Sequence, residues 1–118
     1  MAYFSEQNSI VAMVATMSIL RGYDVDGVLV PRKVQPVHPY VVITGRRIHE
    51  FPRTLIEVGI CSAVYCRPNG VDGDHQSAGE WKAMMINLLG VTEFYEDVPQ
   101  QADIIRQRCP GCRVELVQ

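Results

Sequence analysis

No stretch of this 118-residue sequence is long and apolar enough to span a bilayer. The longest, Ser9 to Leu20, falls short of the ~20 residues a membrane helix needs. Glu6 is the only charge ahead of it, so the basic leader of a secretory signal is missing and a cytoplasmic protein without a membrane partner is expected. Positive charge is not in excess: 11 Lys and Arg stand against 13 Asp and Glu, a net charge of -2. That gives no sign of a general polyanion binder and leaves room for a local basic patch. Internal repeats and low-complexity tracts are absent, as is any composition shift that would mark a second domain. The cysteines are few, four in all, and without a secretory signal they read as free thiols rather than a disulfide framework. Cys109-Pro110-Gly111-Cys112 has the spacing of a zinc knuckle or redox pair, and Cys61 with Cys66 would complete a Cys₄ site. Cys61 and Cys66 flank an apolar run where free cysteine packs as a small hydrophobe, however, and Pro110-Gly111 suits a turn. The three histidines, His38, His49 and His75, have no partner at ligand spacing and receive no role.

What is present is an alternation of short apolar runs with amphipathic ones. Hydrophobic residues make up 47% of the chain and charged residues 20%, ordinary values for one globular domain over residues 1–118. Residues 1–17 read as an N-terminal helical extension, apolar on one face from Ser5 to Thr16, ahead of a core over 18–118. Within that core, Ile19 to Asp24 is expected as a strand ending in a turn at Asp26-Gly27. Tyr40 to Thr44 is a continuous β-branched run of the kind buried on both faces of a parallel sheet, with Gly45 stopping it. Arg47 to Val58 has helical spacing, carries Pro52 in its first turn and is closed by Gly59.

Ile60 to Tyr65 is the next strand, followed by a Pro-, Asn- and Gly-rich loop from Arg67 to Gly73. Ser77 with Glu80 forms a capping-box pattern for a helix that runs to Leu89 and ends at Gly90. Val91 to Tyr95 is a strand, Pro99 opens a helix, and Arg113 to Val117 closes the chain as a strand. Strands separated by helices predict a three-layer α/β/α sandwich around a Rossmann-like parallel sheet.

Open sheets of this kind put ligands at the carboxyl ends of their strands. Asp24 and Asp26 follow the first strand, Thr44 ends the second, Lys82 lies in the helix before the fourth, and Glu96 and Asp97 follow the fourth. Several carboxylates meeting at one edge repel unless a lysine or a cation sits among them. A hard divalent cation such as Mg²⁺, held by one or two carboxylates, waters and substrate phosphate, is the natural companion. Each residue alone has an ordinary explanation. Asp26-Gly27 is a common turn, Glu96-Asp97 suits a helix N-terminus, and Lys82 would normally be solvated. Trp81 beside it reads as packing. Joint placement is what argues for a site.

Taken in order, Asp24-Val25-Asp26-Gly27-Val28-Leu29, then Val41-Val42-Ile43-Thr44-Gly45-Arg46, then Trp81-Lys82, then Phe94-Tyr95-Glu96-Asp97 resemble the four motifs of the haloacid dehalogenase superfamily of phosphatases. The resemblance spans about residues 19 to 117. It implies a Mg²⁺-dependent phosphohydrolase in which Asp24 attacks phosphorus and forms an aspartyl-phosphate. Asp26 would act as acid and then base, and Thr44, Gly45, Arg46 and Lys82 would bind the substrate phosphate. Asp24, Asp26 (through its backbone carbonyl), Glu96 and Asp97 would hold the metal. The chain departs from the family pattern in two ways. Neither Val28 to Pro39 nor Arg67 to Gln76 has room for a cap domain, and Glu96-Asp97 stands where two aspartates are frequent, with Asp97 the expected direct ligand.

A capless site suits a macromolecular substrate or an oligomer whose neighbour closes it. The Asp-Val-Asp-Gly and Thr-Gly-Arg motifs are similar to those of polynucleotide phosphatase domains, and Arg32, Lys33, Arg46 and Arg47 would line a basic rim. A nucleotide or nucleic-acid end is therefore one substrate class. A small sugar phosphate is another, with closure through the N-terminal helix and the Val34 to Pro39 flap of a homo-oligomer. A non-catalytic phosphate-binding or regulatory domain is the alternative outside enzymes, weakened by the intact acidic and lysine set.

Overall fold

The computed structural model describes residues 19–118; the N-terminal helical extension expected over 1–17 lies outside them. Five parallel strands form one sheet: β1 (Arg21–Tyr23), β2 (Tyr40–Arg47), β3 (Ala63–Arg67), β4 (Glu93–Glu96) and β5 (Arg113–Leu116), in the order β3-β2-β1-β4-β5. Three helices connect them: α1 (Phe51–Val58) after β2, α2 (His75–Leu89) after β3 and α3 (Pro99–Arg108) after β4. β1 is short and central. Gly22 pairs with Val41 on one side and Phe94 on the other, so both ladders pass through three residues.

The β-branched run of β2 explains why both faces are covered. Val41 and Ile43 point into a core shared with Trp81 and Ile86 of α2, Ala102 and Ile105 of α3, and Phe94. Tyr40 and Val42 point the other way, into a second core with Tyr23, Val25, Val28, Leu29 and Val58. This period-2 split of a continuous apolar run is what parallel strands with two buried faces require. Tyr23 and Tyr95 stack at 4.6 Å between ring centroids on neighbouring strands. Among the described residues no helix is long and apolar enough to cross a membrane.

Several boundaries differ from the sequence expectation. Gly45 does not stop β2; the strand runs to Arg47, with a register irregularity between Thr44 and Arg47. The Gly45 carbonyl accepts a 2.9 Å hydrogen bond from Arg67 Nε of β3, a partner that keeps this stretch in the sheet. The helix expected from Arg47 begins instead as a 3₁₀ turn, Ile48–Glu50, and becomes α-helical at Phe51 with Pro52 in its first turn. β3 lies further along than Ile60 to Tyr65. Ile60 is exposed, and pairing starts at Ala63 opposite Val41. Ser77 is not the cap of α2. Asp74 is, accepting from Ser77 N at 3.0 Å, and the helix gains its first turn from His75.

Candidate active site

The carboxyl end of β1 places Asp24. Its backbone N–H donates to Tyr95 O at 3.0 Å, which fixes the residue against β4 as the chain leaves the sheet. Asp24 Oδ1 accepts from the Val25 N–H at 2.8 Å, and Oδ2 lies 3.0 Å from Lys82 Nζ. Lys82 reaches this point from the middle of α2 and is 2% exposed, the opposite of a solvated surface lysine. Its ammonium also donates to Glu96 Oε1 at 2.6 Å. Glu96, at the end of β4, is fully buried, and its second oxygen accepts from the N–H groups of Asp97 and Val98 at 3.0 and 3.2 Å.

One ammonium thus faces two buried carboxylates. Burial, and then the neighbouring Asp24 charge, push Glu96 up to about 8 despite the lysine. Burial also opposes the Lys82 charge, but Asp24 and Glu96 outweigh it and hold the ammonium above its ordinary value. Asp97 adds a third carboxylate. Oxygens of Asp24, Glu96 and Asp97 lie within 4.8 Å of one another, a grouping able to hold a metal ion. Gly27 makes the room. Its φ of 81° is the left-handed conformation that glycine adopts freely, and a Cβ there would overlap the Asp97 carboxylate. The turn glycine after β1 therefore packs directly on the Asp97 carboxylate that follows β4.

Thr44 is buried at the end of the regular part of β2. Its Oγ1 accepts from Arg46 N at 3.1 Å, so the hydroxyl keeps its own proton to donate. A Cβ built on Gly45 would meet nothing within 4 Å, which leaves open space beside the backbone there. Arg46 is engaged elsewhere. Nε and Nη2 grip Asp26 in a fork at 3.0 and 2.8 Å, while Nη1 bonds Glu57 Oε2 at 2.8 Å and Thr54 Oγ1 at 3.2 Å. The Arg46 hydrogen bonds hold the Asp26 carboxyl below the usual range, although the Asp26 side chain is 67% exposed.

Of the residues singled out in the sequence, Asp24, Lys82, Glu96 and Asp97 converge as one cluster, while Asp26 and Arg46 form a pair beside it. Glu57, Thr54 and Arg67 escaped sequence reasoning, since nothing in their spacing marks them as partners of residues on β2. The cysteines do not assemble. All four are free, and among the described residues no three Cys, His or acidic groups other than Asp24, Glu96 and Asp97 gather at ligand distance.

Comparison of the chain with protein-family models, with curated proteins and with solved structures finds no match.

Proposed function

We propose that this chain is a Mg²⁺-dependent phosphomonoesterase of the haloacid dehalogenase type, a capless three-layer α/β/α sandwich with Asp24 as its nucleophile. The observation that carries the reading is the buried Asp24–Lys82–Glu96 chain with Asp97 beside it. Burying two carboxylates against one lysine, with a third, half-buried one beside them, is costly for a structural purpose alone. It is what a site needs if it is to receive a dication and a phosphate.

The donor set fits Mg²⁺: hard oxygen ligands grouped closely, with net negative charge left after Lys82 is counted. Asp24 and Asp97 would hold the ion, with the Asp26 carbonyl available and Glu96 largely committed to Lys82 and two backbone N–H groups. When bound, the ion neutralises charge on the phosphoryl oxygens. The chain's own residues do the rest. An Asp24 carboxylate oxygen attacks phosphorus in line, forming a phosphorus–oxygen bond as the bond to the leaving oxygen breaks. Lys82, already against Asp24, offsets charge on the transferring group, and the Thr44 hydroxyl and the open backbone at Gly45 receive phosphate oxygens. Asp26 gives a proton to the leaving oxygen, then takes one from the water that attacks phosphorus and frees Asp24. Arg46 favours the ionised form of Asp26 that serves the second step. The first step requires the exposed Asp26 carboxyl to exchange the guanidinium for the leaving group.

The test is Mg²⁺-dependent phosphate release from an aryl phosphate by the parent and by Asp24→Asn. The parent is expected to turn over, and the variant to lose about 10³-fold or more. Equal rates in both would reject Asp24 as the nucleophile, and no release by the parent from aryl, nucleotide and sugar phosphates alike would favour the regulatory-domain reading. A sugar-phosphate enzyme closed by a second copy has one observation in its favour, the highly exposed Ile56 and Ile60. Its sign would be a dimer whose dissociation abolishes turnover.

A further inference from the structure

Seven of the eleven lysines and arginines carry a carboxylate partner. Among the described residues the four without one are Arg32, Lys33, Arg47 and Arg67, and the eighteen residues before these hold a single acid, Glu6. Two of the four are neighbours. Arg32 and Lys33 lie in the connection that leaves β1, while Arg47 and Arg67 are register partners at the carboxyl ends of β2 and β3. Arg67 is the unusual member. It is buried, and its guanidinium donates to the carbonyls of Gly45 and Val71 with no anion beside it. A buried cation without a counter-ion is a standing cost, and it is relieved when an anion arrives.

Next to these two arginines a groove of about 630 Å³ runs along the free edge of β3. Its walls include Ile48 and His49 of the 3₁₀ turn, Phe51 of α1, Tyr65 of β3, and Trp81 and Met85 of α2. The volume and apolar lining are those of a small-ligand site, and the flat side chains suit a flat partner. Cys66 in the groove wall pairs with Thr44 across the β2–β3 ladder. The groove therefore begins about 10 Å, or two strand spacings, from the strand that leads to Asp24.

We propose that this groove receives the bases at the phosphorylated end of a single-stranded nucleic acid, with Arg47 and Arg67 facing its phosphodiesters while the terminal phosphate lies at Asp24. The inference rests on the phosphatase reading for the placement of that terminal phosphate. Charge selects a strand over a mononucleotide. A mononucleotide brings only the phosphate that the Asp24–Lys82 site takes, and leaves both guanidiniums without an anion. A strand supplies a phosphodiester for each. Base stacking on Phe51 and Tyr65 is tolerant of sequence, as an end-processing substrate requires.

Trp81, the only tryptophan, lines the groove and reports on it. The experiment titrates the full chain with an unphosphorylated ten-nucleotide oligothymidylate and with thymidine monophosphate, following Trp81 emission at two salt concentrations. It then compares kcat/KM for 5′- and 3′-phosphorylated forms of the oligonucleotide with that for an aryl phosphate. The expected result is a saturable, salt-sensitive change with the oligonucleotide and little with the mononucleotide. Arg47→Gln and Phe51→Ala, both at exposed positions, should each weaken oligonucleotide binding about tenfold and leave aryl phosphate turnover unchanged.

Unchanged Trp81 emission, an equal response to the mononucleotide, or a dimer that covers the groove and is indifferent to the oligonucleotide would overturn the proposal. Aryl phosphate turnover would still stand in each case. Oligonucleotide binding that depends on Arg47 in a protein that hydrolyses nothing would instead sink the phosphatase reading and keep the groove as a strand-binding site.

Discussion

Single residues decide the chemistry of the site, and Gly27 is the sharpest case. Its positive φ and the Asp97 carboxylate packed on its α-carbon leave no place for a methyl group. Gly27→Ala should therefore cost on the order of 1–3 kcal/mol in backbone strain and displace Asp97. The readout is the Mg²⁺ concentration for half-maximal phosphate release, expected to rise about 10–100-fold in protein that remains folded by circular dichroism. An unchanged Mg²⁺ requirement would show that Asp97 does not touch the ion. That Asp24, Lys82 and Asp97 would gather was legible in the sequence, because the ends of parallel strands and the helix between them lead to one edge of the sheet. The burial of Glu96 was not. A glutamate beside an aspartate before a proline looks like solvated charge at a helix start, and only the approach of Lys82 from α2 shows that it is a buried partner.

At the scale of elements, the helix that carries Lys82 depends on a cap that sequence reasoning put three residues late. Ser77-Ala78-Gly79-Glu80 and Asp74-His75-Gln76-Ser77 both fit N-terminal patterns, and local sequence does not rank them. The carboxylate of Asp74 wins by accepting the Ser77 N–H, adding a turn to α2. Asp74→Ala should lower stability by about 1 kcal/mol in urea denaturation, with little effect on turnover, because Lys82 lies two turns into the helix. Ser77→Ala should cost less. A larger loss for Ser77→Ala would return the helix start to the sequence-based position. The strands were legible as apolar runs, yet their ends were not. Gly45 read as a stop because glycine weakens strands, whereas the donor that keeps it in β2 comes from Arg67, 22 residues away.

Across the whole molecule, alternation of apolar and amphipathic segments was enough to foresee a parallel α/β sheet, because each strand needs a crossover to return. The thiols test how well the globule excludes solvent. Burial raises Cys61, Cys66 and Cys109, and pushes Cys112 up to about 12 with added help from Cys109 and Glu93. At pH 8 the native protein should therefore react slowly with iodoacetamide and the urea-unfolded chain should label at all four positions, with no zinc released in either state. Rapid native labelling of the Cys109 and Cys112 pair, or stoichiometric zinc, would restore the redox or metal reading of that turn.

The strand order has a consequence for how the molecule comes into being. β1 sits between β2, which follows closely in the chain, and β4, whose Glu93 pairs with Arg21 some 72 positions away. Asp24 and Thr44 thus leave the ribosome well before Lys82, which pairs with Asp24, and before Glu96 and Asp97, which complete the cluster. Closing that long loop is the slow, non-local step of such a sheet. A nascent chain that stops short of β4 carries the nucleophile without the acids of its cluster, so the activity proposed for this protein arrives in one step, when β4 joins the sheet.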